Sequence, residues 1–149
     1  MGSYQKIIVG TDGSTTSLLA VDRAGAIAGD SSAELIIVCA YEPAGRDEVR
    51  AASDALKEDA YQVVGSAPAE SVLRDAADRA RSGGASKVET LAVQGSPVEA
   101  LGQAVEDRNA DLLVVGSLGL NTLSGRILGS VPQSVARRSG VDVLIVHTA

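Results

Sequence analysis

Five short apolar runs alternate along the chain with longer stretches of helical spacing. The runs cover residues 6–10, 34–41, 88–94, 111–117 and 141–147. Runs of this length, bounded by Gly, Pro, Asn and Asp, read as strands, and their alternation with helices reads as βαβ units. The expected fold class is therefore α/β, a five-stranded parallel sheet, doubly wound and Rossmann-like. The 149 residues show no internal repeat and no linker, so residues 1–149 are expected to form a single domain.

The helix signals support this layout. Leu18, Val21, Gly25 and Ala28 recur at spacings of three and four, and Gly29-Asp30 reads as the end of that helix. Residues 42–68 are the least readable stretch: a polar loop, then a charged helix over 49–64. A firmer helix is expected over 69–81, with Val72, Leu73, Ala76, Ala77 and Ala80 on one face and Gly83-Gly84 as the stop. The run 88–94 mixes polar and apolar residues, as an edge strand does. Ser96-Pro97-Val98-Glu99 combines a capping box with a proline suited to the first helical position. Leu101, Ala104 and Val105 then face the core. A last short helix is expected from Ser130 to Ser139-Gly140.

Composition narrows the function. The chain has no Phe, no Trp and three Tyr, so its core must come from Val, Leu, Ile and Ala, the usual filling of a covered parallel sheet. Few aromatic faces are available to stack bases of single-stranded nucleic acid. The net charge is −6, and no basic run exceeds Arg137-Arg138, which argues against nucleic acid and against membrane surfaces. Apolar runs such as 112–115 are far shorter than the roughly 20 residues a bilayer requires. No signal peptide is evident at the start, and the single Cys39 fits a reducing compartment, so a cytoplasmic location is expected.

Ligands of doubly wound sheets bind beyond the carboxyl ends of the strands, where strand order reverses. Two strand-end loops stand out. The first is Gly10-Thr11-Asp12-Gly13-Ser14; the second runs from Gly116 through Gly119, Gly125, Arg126 and Gly129 to Ser130. Glycines admit a close backbone approach, and a helix start offers unpaired N–H groups to phosphate. The dipole of one helix end supplies only about 0.3–1 kcal/mol, so several N–H groups and Arg126 would have to act together. Plainer readings stand beside these: turn glycines, a capping box of Ser130 with Gln133, a solvated Arg126. Asp12 is a turn former, a cap of the first helix, or a carboxylate meeting ribose hydroxyls or a phosphate-bound Mg²⁺.

Catalytic patterns are absent from the sequence. There is no G-x-x-x-x-G-K-[ST] and no G-x-G-x-x-G after the first strand. His147 is the only histidine and has no G-x-S-x-G elbow to serve, so it reads as an interface or surface residue. Cys39 reads as buried core, and one His with one Cys cannot fill a zinc site. Glu58-Asp59 and Glu106-Asp107 read as solvated helix faces. No catalytic residue is assigned.

The spacing G-x2-G-x9-G-S formed by Gly116, Gly119, Gly129 and Ser130 resembles the ATP-binding signature of the universal stress protein family. The opening Ile7-Ile-Val-Gly-Thr-Asp-Gly-Ser14 and the ending Asp142-Val-Leu-Ile-Val146 are similar to that family too, in the same order. The resemblance implies the strand order 3-2-1-4-5 and an adenine nucleotide as ligand, whether ATP, AMP or cyclic AMP; Mg²⁺ would come with the nucleotide, on the reading of Asp12 given above. It implies that Gly10, Thr11 and Asp12 border the adenosine, with Ala40 near the adenine and Val115 beside the nucleoside. Gly116, Gly119, Gly129, Ser130 and Val131 would hold ribose and phosphates. It also implies a homodimer through the last strand, Val141 to His147. Leu118 departs from the basic or polar residue many members carry before the second glycine, which bears on triphosphate preference more than on adenosine. The function expected is a regulatory or stress-response module. The alternatives are a cyclic AMP-binding sequestering protein, a slow Mg²⁺-dependent ATPase or nucleotidyl enzyme using Asp12, with at most weak ATP hydrolysis, and a dimeric scaffold without nucleotide.

Overall fold

All five apolar runs are strands of one sheet. The structure is a computed structural model that describes residues 4–42, 66–116 and 141–147. β1 (Lys6–Gly10), β2 (Glu34–Tyr41), β3 (Lys87–Gln94), β4 (Leu112–Gly116) and β5 (Asp142–Val146) pair in the order β3-β2-β1-β4-β5. Every pairing is parallel. The described helices are α1 (Thr15–Ser31), α2 (Ser66–Ser82) and α3 (Pro97–Arg108). The helices expected over 49–64 and from Ser130, and the pair Glu58-Asp59, lie outside the described residues.

Period-two alternation splits the sheet between two cores. Ile7, Val9, Leu35, Ile37, Cys39, Leu112 and Val114 pack under α1 and α2. Ile8, Ile36, Val38, Leu113 and Val115 pack on the other face under Leu101, Ala104 and Val105 of α3. The central strands are thus apolar on both sides, which is why they read as unbroken runs. β3, at one edge, is only half covered.

α1 and α2 pack through small residues. A Cβ on Gly25 would stand 2.9 Å from the Ala80 carbonyl oxygen, and one on Gly29 would stand 2.7 Å from that of Gly84. Gly29 is therefore a packing residue, and the helix runs past it. The stop is Ser32, in the left-handed region at φ 54°. α2 begins at Ser66, before the expected start, with Pro68 in its first turn. A proline costs little there, because first-turn N–H groups have no intrahelical partner. Arg79 forks onto Asp22 and so joins α2 to α1 (Nε to Oδ1 3.0 Å).

The amino-terminal edge of the sheet is fastened by Asp111. Its two carboxylate oxygens accept the N–H groups of Gln5 and Lys6 at 2.9 and 3.0 Å, and its own N–H donates to the Lys6 carbonyl. Beside it, the Tyr4 hydroxyl donates to Asp142 at 2.9 Å. β1 is thereby tied to β4 and to the start of β5.

Candidate functional site

The strand order reverses between β1 and β4. From β1 the chain moves to β2 on one side; from β4 it moves to β5 on the other. Val9 is registered with Val114, so Gly10 and Val115-Gly116 follow at the carboxyl ends of neighbouring strands. Gly10 is also registered with Val38, which sets Ala40 two residues further out along β2. Gly10, Thr11, Asp12, Ala40, Val115 and Gly116 are thus gathered along one edge. Gly119, Arg126, Gly129, Ser130 and Val131 lie outside the described residues, as does Leu118.

Each strand end has a local reason for its residue. A Cβ on Gly10 would meet the two methyls of Leu101 at 3.0 and 3.1 Å, so glycine there lets α3 close onto the sheet. Val115 is fully buried in the core under α3, and Ala40 packs at the margin of the same cluster. Gly116 is buried and registered with Val146 of β5.

The turn after β1 is dense in hydrogen bonds. Thr11 donates its N–H to the Val38 carbonyl at 3.0 Å, and its Oγ1 accepts the Gly13 N–H at 3.1 Å. Asp12 Oδ1 accepts the Ser14 N–H at 2.9 Å. Gly13 has φ 85°, a left-handed conformation that glycine adopts without strain. Ser14 is the cap of α1, its Oγ accepting the Ser17 N–H at 3.2 Å. Of the three roles open to Asp12, the structure shows turn formation, and the cap belongs to Ser14. Among the described residues nothing engages Asp12 Oδ2.

Ser17 was not among the residues expected here. It is buried at 7% exposure, with its Oγ 2.8 Å from Thr11 Oγ1. A signal for it exists in the sequence. Ser17 falls on the stripe that continues through Ala20, Val21, Ala24 and Ala28, and a hydroxyl on a buried stripe needs a polar partner.

The remaining titratable candidates fall as read. Cys39 is buried in β2, and burial, aided by the nearby Asp12 charge, pushes its thiol up to about 12. His147 is exposed, as are Glu106 and Asp107. Among the described residues no three His, Cys, Asp or Glu side chains gather as metal ligands, and no helix is long and apolar enough to cross a membrane. A cleft of about 400 Å³ lies at the opposite edge of the sheet, lined by Tyr4, Lys6, Ser32, Glu34 and Lys87 among others. Its polarity follows from the cross-strand row Lys6–Glu34–Lys87, and it is remote from the reversal.

A five-stranded parallel sheet with a glycine-ended strand on each side of its reversal defines a class: doubly wound proteins that take ligands at the carboxyl edge. The model of the universal stress protein family matches residues 3–147, and the chain belongs to that family. It is 51% identical over 148 residues to the universal stress protein Rv1636 of Mycobacterium tuberculosis, covering 99% of each chain. Among solved structures it is 49% identical to a universal stress protein crystallised in complex with cAMP, at a TM-score of 0.73 and 98% coverage of both chains. The universal stress protein UspA of Lactobacillus plantarum, 20% identical, shares the fold at a TM-score of 0.71, over 98% of this chain and 99% of that one.

Proposed function

We propose that this protein binds an adenine nucleotide at the β1/β4 reversal and works as a regulatory module of the stress-response type. One observation carries the reading. The residues expected at the nucleoside from both ends of the chain, Gly10–Asp12 and Val115–Gly116, meet at that reversal, in a chain 49% identical to a protein crystallised with cAMP. The local chemistry fits such a ligand. Gly10 and Gly116 present no side chain at the strand ends, the partly buried Ala40 supplies apolar surface for a base, and Asp12 Oδ2 is an acceptor suited to a hydroxyl or amino donor.

In this reading Gly10, Thr11 and Asp12 border the adenosine, with Ala40 near the adenine and Val115 beside the nucleoside. Gly116, Gly119, Arg126, Gly129, Ser130 and Val131 hold ribose and phosphates. A Mg²⁺ ion, where present, arrives on the phosphates and meets Asp12, since Mg²⁺ is usually held by one or two carboxylates plus substrate oxygens. Two copies pair through β5, whose Ile145 is 44% exposed on a sheet edge.

Calorimetric titration with cyclic AMP, AMP and ATP, alongside Gly119→Ala, tests the reading. Saturable binding that the variant loses supports the glycine loop as the phosphate site. No heat with any of the three at millimolar concentration overturns nucleotide binding and leaves the scaffold.

A further inference from the structure

The turn that follows β1 is held from within by a chain of hydroxyls. Ser17 Oγ lies 3.0 Å from the Ser14 carbonyl, which can only accept, so the single Ser17 hydroxyl hydrogen goes there. Its lone pairs then receive the Thr11 hydroxyl at 2.8 Å and, more distantly, the Asp12 N–H at 3.4 Å. Thr11 Oγ1 in turn accepts the Gly13 N–H. The hydrogen bonds therefore run in one direction, from Gly13 through Thr11 and Ser17 to Ser14. Thr11 and Ser17 are the two buried polar side chains among the described residues, each 7% exposed, so an unmade bond here has no water to replace it.

We infer that Ser17 is a positioning residue for nucleotide binding: without touching the ligand, it fixes the 11–14 turn in the conformation that presents Asp12. The inference rests on the nucleotide reading above and deepens it. Both hydrogens of Thr11, on N and on Oγ1, are spent inside the protein. What the turn offers outward is thus an acceptor, Asp12 Oδ2, whose sibling Oδ1 is fixed on the Ser14 N–H. Asp12 is in turn held by its own N–H, which reaches Ser17 Oγ. Removal of that one oxygen releases the Thr11 hydroxyl and the Asp12 amide together.

The test is a cycle of cyclic AMP affinities for wild type, Ser17→Ala, Asp12→Ala and the double variant. Residues acting through one another are non-additive, whereas independent effects add. Ser17→Ala is expected to weaken binding about tenfold, and to cost nothing further once Asp12 is gone. Amide exchange should quicken at Asp12 and Gly13 in Ser17→Ala, with Ile8 and Val21 unchanged. Thr11→Val removes the same chain from its other end and should match Ser17→Ala, which covers the case in which the alanine variant does not fold. Additive losses, or unaltered affinity in Ser17→Ala, overturn the inference while leaving nucleotide binding in place. A wild-type protein that takes no cyclic AMP, AMP or ATP overturns both.

Discussion

Gly29 and Gly84 touch backbone to backbone: a Cβ on Gly29 would sit 2.7 Å from the Gly84 carbonyl oxygen and 2.8 Å from its carbon. Neither atom belongs to a side chain that can rotate away. Gly29→Ala must therefore move α1 off α2. Overpacking costs about 1–3 kcal/mol, more than the roughly 1 kcal/mol that alanine gains over glycine within a helix. A lower urea midpoint with an unchanged m-value is expected. Gly83→Ala is the control: its Cβ would meet its nearest neighbour at 3.5 Å, ordinary contact, and a change within about 0.5 kcal/mol is expected.

Asp111→Ala removes the acceptor of two backbone N–H groups at once, those of Gln5 and Lys6. A loss of about 1 kcal/mol is expected in urea denaturation, the net worth of such bonds where water reaches the freed groups. Asp111→Asn keeps one acceptor oxygen and should recover part of it.

Cys39 is the pH-sensitive element. Burial, aided by the Asp12 charge, pushes its thiol up to about 12 in the folded protein, well above the ordinary range of a cysteine. Above pH 9 the unfolded chain releases this proton while the folded chain keeps it, so folding stability falls as pH rises from about 9 to about 12, and below 9 the group contributes no slope. Cys39→Ala should flatten that part of the stability–pH curve. For the same reason the native thiol should resist a thiol reagent at pH 8 and react once the protein is unfolded.

Gly10→Ala separates packing from binding. The added methyl presses on the Leu101 side chain, which can shift by a few tenths of an ångström, so a stability loss near the lower end of the overpacking range, about 1 kcal/mol, is expected. Because Gly10 also borders the proposed nucleoside site, cyclic AMP affinity in calorimetry should fall by more than that loss accounts for.

Ile145→Lys puts a charge on the exposed apolar edge strand. Charges on an edge oppose strand pairing between copies, so the proposed pairing through β5 predicts that sedimentation shifts toward monomer while far-UV circular dichroism stays as in wild type.

The sheet was legible because its signals are local. The run 34–41 coincides with β2, and the Ser96 cap is as read, its Oγ accepting the Glu99 N–H at 3.3 Å. Gly29 misled as a helix stop because its reason lies on α2, a distant stretch of chain whose approach no local spacing reports. The turn and cap roles of Asp12 could not be told apart because that choice depends on Ser14 taking the cap. Ser17 was passed over because a serine near a helix start reads as solvated until the stripe it shares with Ala20 and Val21 is weighed. The strand ends at the reversal could be gathered on paper only with the order 3-2-1-4-5, which came from the family resemblance and not from the run pattern.

The Asp111 clamp also sets a timetable for synthesis. Lys6 and the carboxylate that secures it are 105 positions apart, and β4 lies against β1 with that whole span between them. A nascent chain that has made β1, β2 and β3 still has one flank of its central strand open and greasy, waiting for β4 to leave the ribosome. Such long-range closures are slow and expose sticky surface while they wait. The β1/β4 reversal, where nucleotide binding is proposed, is therefore among the last parts of the molecule to form, and a chain truncated before β4 has no half-finished version of it to offer.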